Sequence, residues 1–448
     1  MQDLTTGSVW RHLLKTTSFM LVTMVFQTLY FLVDLFWVGR LGKEAVAAVA
    51  VAGNLMFVVL AISQMMAVGT TTLVAHAAGR KHHDEALLVF NQSQVLSAVV
   101  GAVFLVVASI LRTGYTRALS ADAQTATLAN VYLAWFIPAM ALQFPMAAMG
   151  AALRGTGNFK PGMIVGTSTV ILNMILAPFL MFGWVTHRPM GVAGTALSTF
   201  VAVVVGSVWL GTYFRSDAAH LRFVPADWAP KFHLWSRLLR IGLPAGTEFA
   251  LMSAYLFIVY TVSRPFGSAA QAGFGIGLRI FQAGFMPVVA LGFAVAPVAG
   301  QNFGARHAER VRDTFKAAVL MSLVAMAAFT LLCHVAPDPM MRLFSNDPEV
   351  IAVGRTYLRI LSWSSVASGV IFVASSMFQA MGNTLPSLAT SFTRIVCVAI
   401  PTLLMARLAG FELRWIWYLS AGSVALQMAM SLLLLRREFR RRLSFPSL

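Results

Sequence analysis

The chain has 448 residues, 58% hydrophobic and 11% charged, with a formal net charge of +17 and a mean hydropathy of +0.76. Soluble domains carry about 25% charged residues, so a soluble globule is excluded. The basic excess reads as cytoplasmic loops and contact with anionic headgroups, and no nucleic-acid partner is expected.

A helix needs roughly 20 apolar residues to cross a bilayer. Twelve such windows are predicted, at about 12–38, 45–75, 88–111, 124–152, 162–183, 190–214, 236–262, 270–300, 312–335, 350–378, 386–406 and 413–435. The polar start MQDLTTGSVWRHLLK runs into a segment longer than a signal-peptide core, so no cleavable leader is expected. With the N-terminus inside, about 20 Lys and Arg fall in inside loops against about 11 outside. Both termini are therefore predicted to be cytoplasmic, with the basic RREFRRR tail at the inner surface.

The first span contains FLVDLFWVGRLG, with Asp34 among apolar residues. A carboxylate at mid-membrane costs about 2.5–3.5 kcal/mol on insertion scales, which makes it a functional candidate by default. After the second span, GRKHHDEA holds His82 and His83, read as solvated and not as a metal site. The seventh span contains Glu248, the second of two acids well inside predicted spans. Arg264 at its end is expected to reach the interface. In the eighth span Arg279 and Gln282 stand three residues apart on one face. Gln282 is a candidate for a cavity lining; Arg279, like Arg394 in the eleventh span, is expected to pair with an acid or cap carbonyls. Cys333 and Cys397 lack metal-ligand spacing, so neither a disulfide nor a metal centre is expected. Prolines at 138, 145, 178, 244, 287, 297 and 401 fall inside spans, where neighbouring groups can satisfy the freed carbonyls.

The sequence repeats itself at an offset of 225. HLLKTTSFM falls on RLLRIGLPA, VAHAAGR on VAGQNFGA, and GTGNFKP on AMGNTLP, with Gly157, Asn158 and Pro161 meeting Gly382, Asn383 and Pro386. The predicted organisation is a six-helix bundle over 1–215, a cytoplasmic linker over 216–235, and a second six-helix bundle with its tail over 236–448. An even number of spans per half makes the repeat parallel, which implies a central cavity between the lobes and alternating access. The fold class is thus an all-α polytopic membrane protein of two six-helix bundles.

DLFWVGRLGKEAVAAVAVAG, LRGTGNFKPGMIVGTSTVILNMILAPFLMFG and MGVAGTALST in the first half resemble signatures of multidrug and toxic compound extrusion (MATE) transporters. So do GLPAGTE, AGFGIGLRIFQ and VAGQNFGA in the second. The resemblance covers nearly the whole chain. It implies export of amphipathic, often cationic, organic compounds by cation antiport in a bacterial inner membrane. The family's first-helix acid is here Asp34, and its partners on the fifth and sixth helices are Asn173 and Thr199. The acid often found four residues after that Asn is here Ala177, and the tenth span carries no acid. These departures are nearer a DinF-like, proton-coupled pattern than a NorM-like, sodium-coupled one.

The expected site is therefore Asp34, Asn173 and Thr199 for cation coupling, with Glu248, Gln282 and Arg279 for substrate or cation in the second half. The coupling ion is H+, with Na+ as the alternative, and neither cofactor nor metal is expected. Partners are small organic molecules and the bilayer, and a monomer is expected. The rival function is a lipid-linked oligosaccharide flippase, for which Arg279 and Arg394 would make a basic cavity. A membrane-embedded enzyme is not expected, because no Asp-rich magnesium cluster or phosphate-cradling loop is present.

Overall fold

The computed structural model describes all residues except 1, 121, 185–186, 217–219, 409 and 445–448. Part of the expected linker, at 217–219, lies outside the described residues, as does the Arg264 side chain. The helices are α1 (Val9–Gly39), α2 (Lys43–Gly79), α3 (His83–Leu119), α4 (Ala123–Gly155), α5 (Phe159–Phe182), α6 (Val192–Tyr213), α7 (Phe232–Ser263), α8 (Ser268–Gly304), α9 (Ala308–Val335), α10 (Pro337–Arg342), α11 (Pro348–Ala380), α12 (Leu385–Met405) and α13 (Leu413–Arg442). All but the short α10 are long and apolar enough to cross a membrane. The protein is an all-α, multi-pass membrane protein.

Each of the twelve predicted windows falls on one of these helices, but the helices commonly outrun them. Helix α2 starts at Lys43 and α9 at Ala308, because helical hydrogen bonding continues where the apolar run has ended. The unforeseen α10 begins on Pro337, whose fixed φ suits a first helical position.

Two compact units form. Residues 2–3 and 18–246 make the first, and 4–17 with 247–444 the second, over the described range. In the first, α4 packs on α2, α3, α5 and α6, while α2 pairs with α3 and α5 with α6. In the second, α11 packs on α8, α9, α12 and α13, while α8 pairs with α9 and α12 with α13. The internal packing of one unit therefore repeats that of the other.

The repeat extends to single residues. The central helices α4 and α11 are capped by Asp122 and Asp347, 225 positions apart. Asp122 accepts from the Thr125 N–H at 2.7 Å and Asp347 from the Glu349 N–H at 2.9 Å, each satisfying a free first-turn donor. Beyond α4 and α11 the chain turns through Gly157 and Gly382, at φ 77° and 71°, the left-handed region that glycine enters without steric cost.

The boundaries of the units are not those of the expected 1–215, 216–235 and 236–448 segments. The first turns of α7 belong to the first unit because Gly242 and Gly246, in GLPAG, bring their backbone against the Met65 and Ala61 carbonyls of α2. Small residues four apart allow this close approach. The first turns of α1 belong to the second unit, where Leu4 and Leu13 are buried with Leu291, Val298 and Val373. Gln301 Oε1 accepts from the Leu4 N–H at 3.0 Å, and Asn302 Nδ2 donates to the Leu4 carbonyl at 3.2 Å.

The stretch before α7, expected as a plain linker, is held by two buried α3 side chains. Asn91 donates to the Arg222 carbonyl and accepts from the Val224 N–H and the Trp228 indole. Gln92 donates to the Asp227 and Ala229 carbonyls and accepts from the Lys231 N–H and the Trp235 indole. Both amides are fully used, so this polar segment, with one 3-10 turn at Pro225–Asp227, is fixed by α3 side chains.

Candidate functional site

Helix α1 carries Tyr30 and Asp34, four residues apart and so on one face. Asn173 on α5 is buried, as are Ser198 and Thr199 on α6. The Ser198 hydroxyl donates to Asn173 Oδ1 at 2.7 Å, and Asn173 Nδ2 donates to Thr199 Oγ1 at 3.2 Å, which fixes the amide orientation. Thr199 donates its own proton to the Thr195 carbonyl at 3.1 Å. The Tyr30 hydroxyl, 3.3 Å from Thr199 Oγ1, is then the donor of that pair.

Asp34 stands at the edge of this network. Its Oδ1 is buried and has no hydrogen-bond partner among the described residues. The phenols of Tyr30 and of Tyr132, on α4, lie near enough to feel its charge. The structure thus joins Asn173 to Thr199, as expected, but Tyr30 takes the Thr199 contact that Asp34 was expected to make. Tyr30 is one turn earlier on the same face and its longer side chain reaches across. Ala177 is buried with Leu133, Phe136 and Met181, so an apolar cluster fills the place of a second acid.

Glu248, Gln282 and Arg279, expected together, are not brought together. The Glu248 carboxyl lies beside Ser387 of α12, whose hydroxyl donates to that of Ser375 on α11 at 2.7 Å. Arg279 and Gln282 are exposed on α8 and make no hydrogen bond or ion pair among the described residues. The reason is the face that α8 buries: Gly273 meets Val350 and Val353 of α11, and Gly277 meets Tyr357. Those glycines pack closely on α11, and the two polar residues are exposed away from them. Arg394 of α12 forms no salt bridge among the described residues and caps no carbonyl; its Cζ lies 5.7 Å from the Tyr255 ring centroid.

Tyr30, Tyr132, Ser198 and Ser387 were missed in the sequence. The offset of 225 was a usable signal for the tyrosines, since it maps Tyr30 onto Tyr255 and Tyr132 onto Tyr357. Ser198 and Ser387 carry no comparable mark. Among the described residues no group of three or more His, Cys, Asp or Glu side chains is placed to hold a metal.

A family model described as MatE matches residues 20–179 and 244–404. Over 426 residues the chain is 26% identical to "Probable multidrug resistance protein YoeA" of Bacillus subtilis, covering 94% of this chain and 92% of that protein. It is 24% identical to "Probable multidrug resistance protein NorM" of Thermotoga maritima, covering 84% and 81%. Among solved structures, a multidrug resistance MATE family transporter of the MOP superfamily in its outward-facing conformation superposes with a TM-score of 0.91. It shares 22% identity, over 98% of each chain, and shows the same fold.

Proposed function

Since the chain belongs to the MatE family, we propose that it is a secondary active transporter exporting amphipathic and cationic organic compounds in exchange for protons. The multidrug descriptions of its relatives support the substrate class. The observation that carries the coupling role is Asp34, with a buried carboxylate oxygen left without a partner beside a fully engaged hydroxyl and amide network. A metal ion needs several oxygen ligands at once. Asn173 Oδ1 and Thr199 Oγ1 already accept hydrogen bonds from Ser198 and Asn173, and Ala177 supplies no oxygen side chain. A proton needs one oxygen, so H+ is favoured over Na+.

A carboxyl whose surroundings alternate between apolar and wet takes up a proton in one and releases it in the other. Coupling that exchange to substrate release on the far side gives antiport. Asn173 and Thr199, held in place by Ser198 and Tyr30, position the α1 face that carries Asp34. Glu248, beside Ser387, offers a second carboxyl to a substrate's positive charge, with Gln282 and Arg279 apart from it. The basic inside loops support a bacterial inner membrane with both termini cytoplasmic. The transporter works as a monomer with no cofactor beyond its coupling ion.

The test is efflux of a fluorescent organic cation from liposomes, driven first by a pH gradient and then by a sodium gradient. Wild-type efflux is expected under the pH gradient alone, and Asp34→Asn is expected to abolish it while still binding dye. Efflux under sodium alone, or continued pumping by the variant, would place coupling elsewhere.

A further inference from the structure

Tyr255 on α7 and Tyr357 on α11 occupy in the second unit the repeat positions of Tyr30 and Tyr132 in the first. The setting is alike. Tyr30 bonds Thr199 on α6, and Tyr255 bonds Ser420 on α13 at 2.9 Å, each the last helix of its half. The charge beside the phenols is opposite. In the first unit it is the Asp34 carboxylate. In the second it is the Arg394 guanidinium, above the Tyr255 ring and within electrostatic reach of Tyr357. Repeat positions confirm the inversion, because Asp34 maps onto Val259 and Arg394 onto Thr169.

Arg394 is uncompensated. Among the described residues no carboxylate lies within ion-pair distance, and its buried Nε lacks any hydrogen-bond partner. Glu248 lies beside Ser387, two turns before Arg394 on the same face of α12 and about 10 Å away along its axis. A cation inside a membrane span is costly without a partner. The Tyr255 face offsets part of that cost. A carboxylate offsets more, because a guanidinium presents two parallel N–H donors that match its two oxygens. The Arg394 residue is half-buried and not fully enclosed.

We propose that Arg394, Tyr255 and Tyr357 form an anion-binding site in the second unit that takes the carboxylate of an amphipathic aromatic compound. The substrates then include organic carboxylates and zwitterions, with the positive end of a zwitterion falling toward Glu248. The claim about substrates rests on the efflux reading above; the claim about binding does not.

Binding of a fluorescent anthracene carboxylate, its methyl ester and a quaternary ammonium analogue to the purified full chain in detergent tests this. The acid is expected to bind at least tenfold tighter than the ester. Arg394→Gln should remove that tenfold and leave ester and ammonium binding unchanged, while Arg394→Lys keeps the charge but loses most of the preference. Equal binding of acid and ester, or equal loss of all three probes in Arg394→Gln, would overturn the proposal. If Arg394→Gln fails to fold, the wild-type acid-to-ester ratio and the Lys variant decide. Competition separates the sources of anion. Displacement by other aromatic carboxylates supports the site, whereas displacement only by millimolar chloride or inorganic phosphate, or only by dodecyl phosphate as a lipid mimic, overturns it. Failed cation efflux in liposomes with intact acid binding would remove the efflux reading and leave the anion site standing.

Discussion

Asp122 shows how a single exposed side chain can fix where a central helix starts. Its carboxylate accepts from the Thr125 N–H and from the Thr125 hydroxyl at 2.9 Å, and these bonds hold its pKa below the ordinary carboxylate value. A lowered folded-state pKa means that the stabilisation is complete above the unfolded value, about 3.9, and is lost as pH falls through the folded one. Asp122→Ala should therefore lower the melting temperature in detergent at neutral pH, with the gap to wild type closing below about pH 4. A gap independent of pH would show that the cap acts through something other than the ionised carboxylate. At the other polar extreme, Asp34 gains no such bonds, and that contrast between two aspartates separates a structural carboxylate from a functional candidate.

At the scale of the element, the stretch from Arg222 to Trp235 is ordered by α3. Gln92 is completely buried and uses both ends of its amide on that segment. Each such bond contributes about 1 kcal/mol net. Gln92→Leu, which removes four of them, is expected to cost about 2–4 kcal/mol. It should also expose Arg222 and Lys231 to trypsin. Cleavage at the wild-type rate would mean that Asn91 alone suffices. The GLPAG segment acts at the same scale. Its two glycines let α7 lie directly on the α2 backbone, so the early turns of α7 are part of the first unit.

For the whole molecule, the division into units does not follow the division into repeats. Residues 4–17 precede the first bundle in the chain yet complete the core of the second, with Leu4 and Leu13 fully buried there. Leu4→Ala is expected to destabilise the second unit by about 2–5 kcal/mol, the range for a buried leucine truncated in a packed core. Thermal unfolding followed by thiol labelling of Cys333, buried in α9, would report it. Unchanged labelling would mean that the N-terminal segment is dispensable to that core.

The twelve spans, the two-fold repeat and Asp34 were legible in the sequence because each rests on a local signal: a long apolar run, a constant offset, or a charge where none is cheap. The family was legible for the same reason, since its motifs are contiguous. Tertiary structure alone decided which side chains meet. That Tyr30 and not Asp34 reaches Thr199, that Glu248 lies beside Ser387 while Arg279 and Gln282 lie apart, and that Arg394 faces a tyrosine ring all depend on which face each helix buries. In a membrane span apolar residues occur on every face, so hydropathy does not mark the buried one; close packing of small residues such as Gly273, Gly277, Gly242 and Gly246 does.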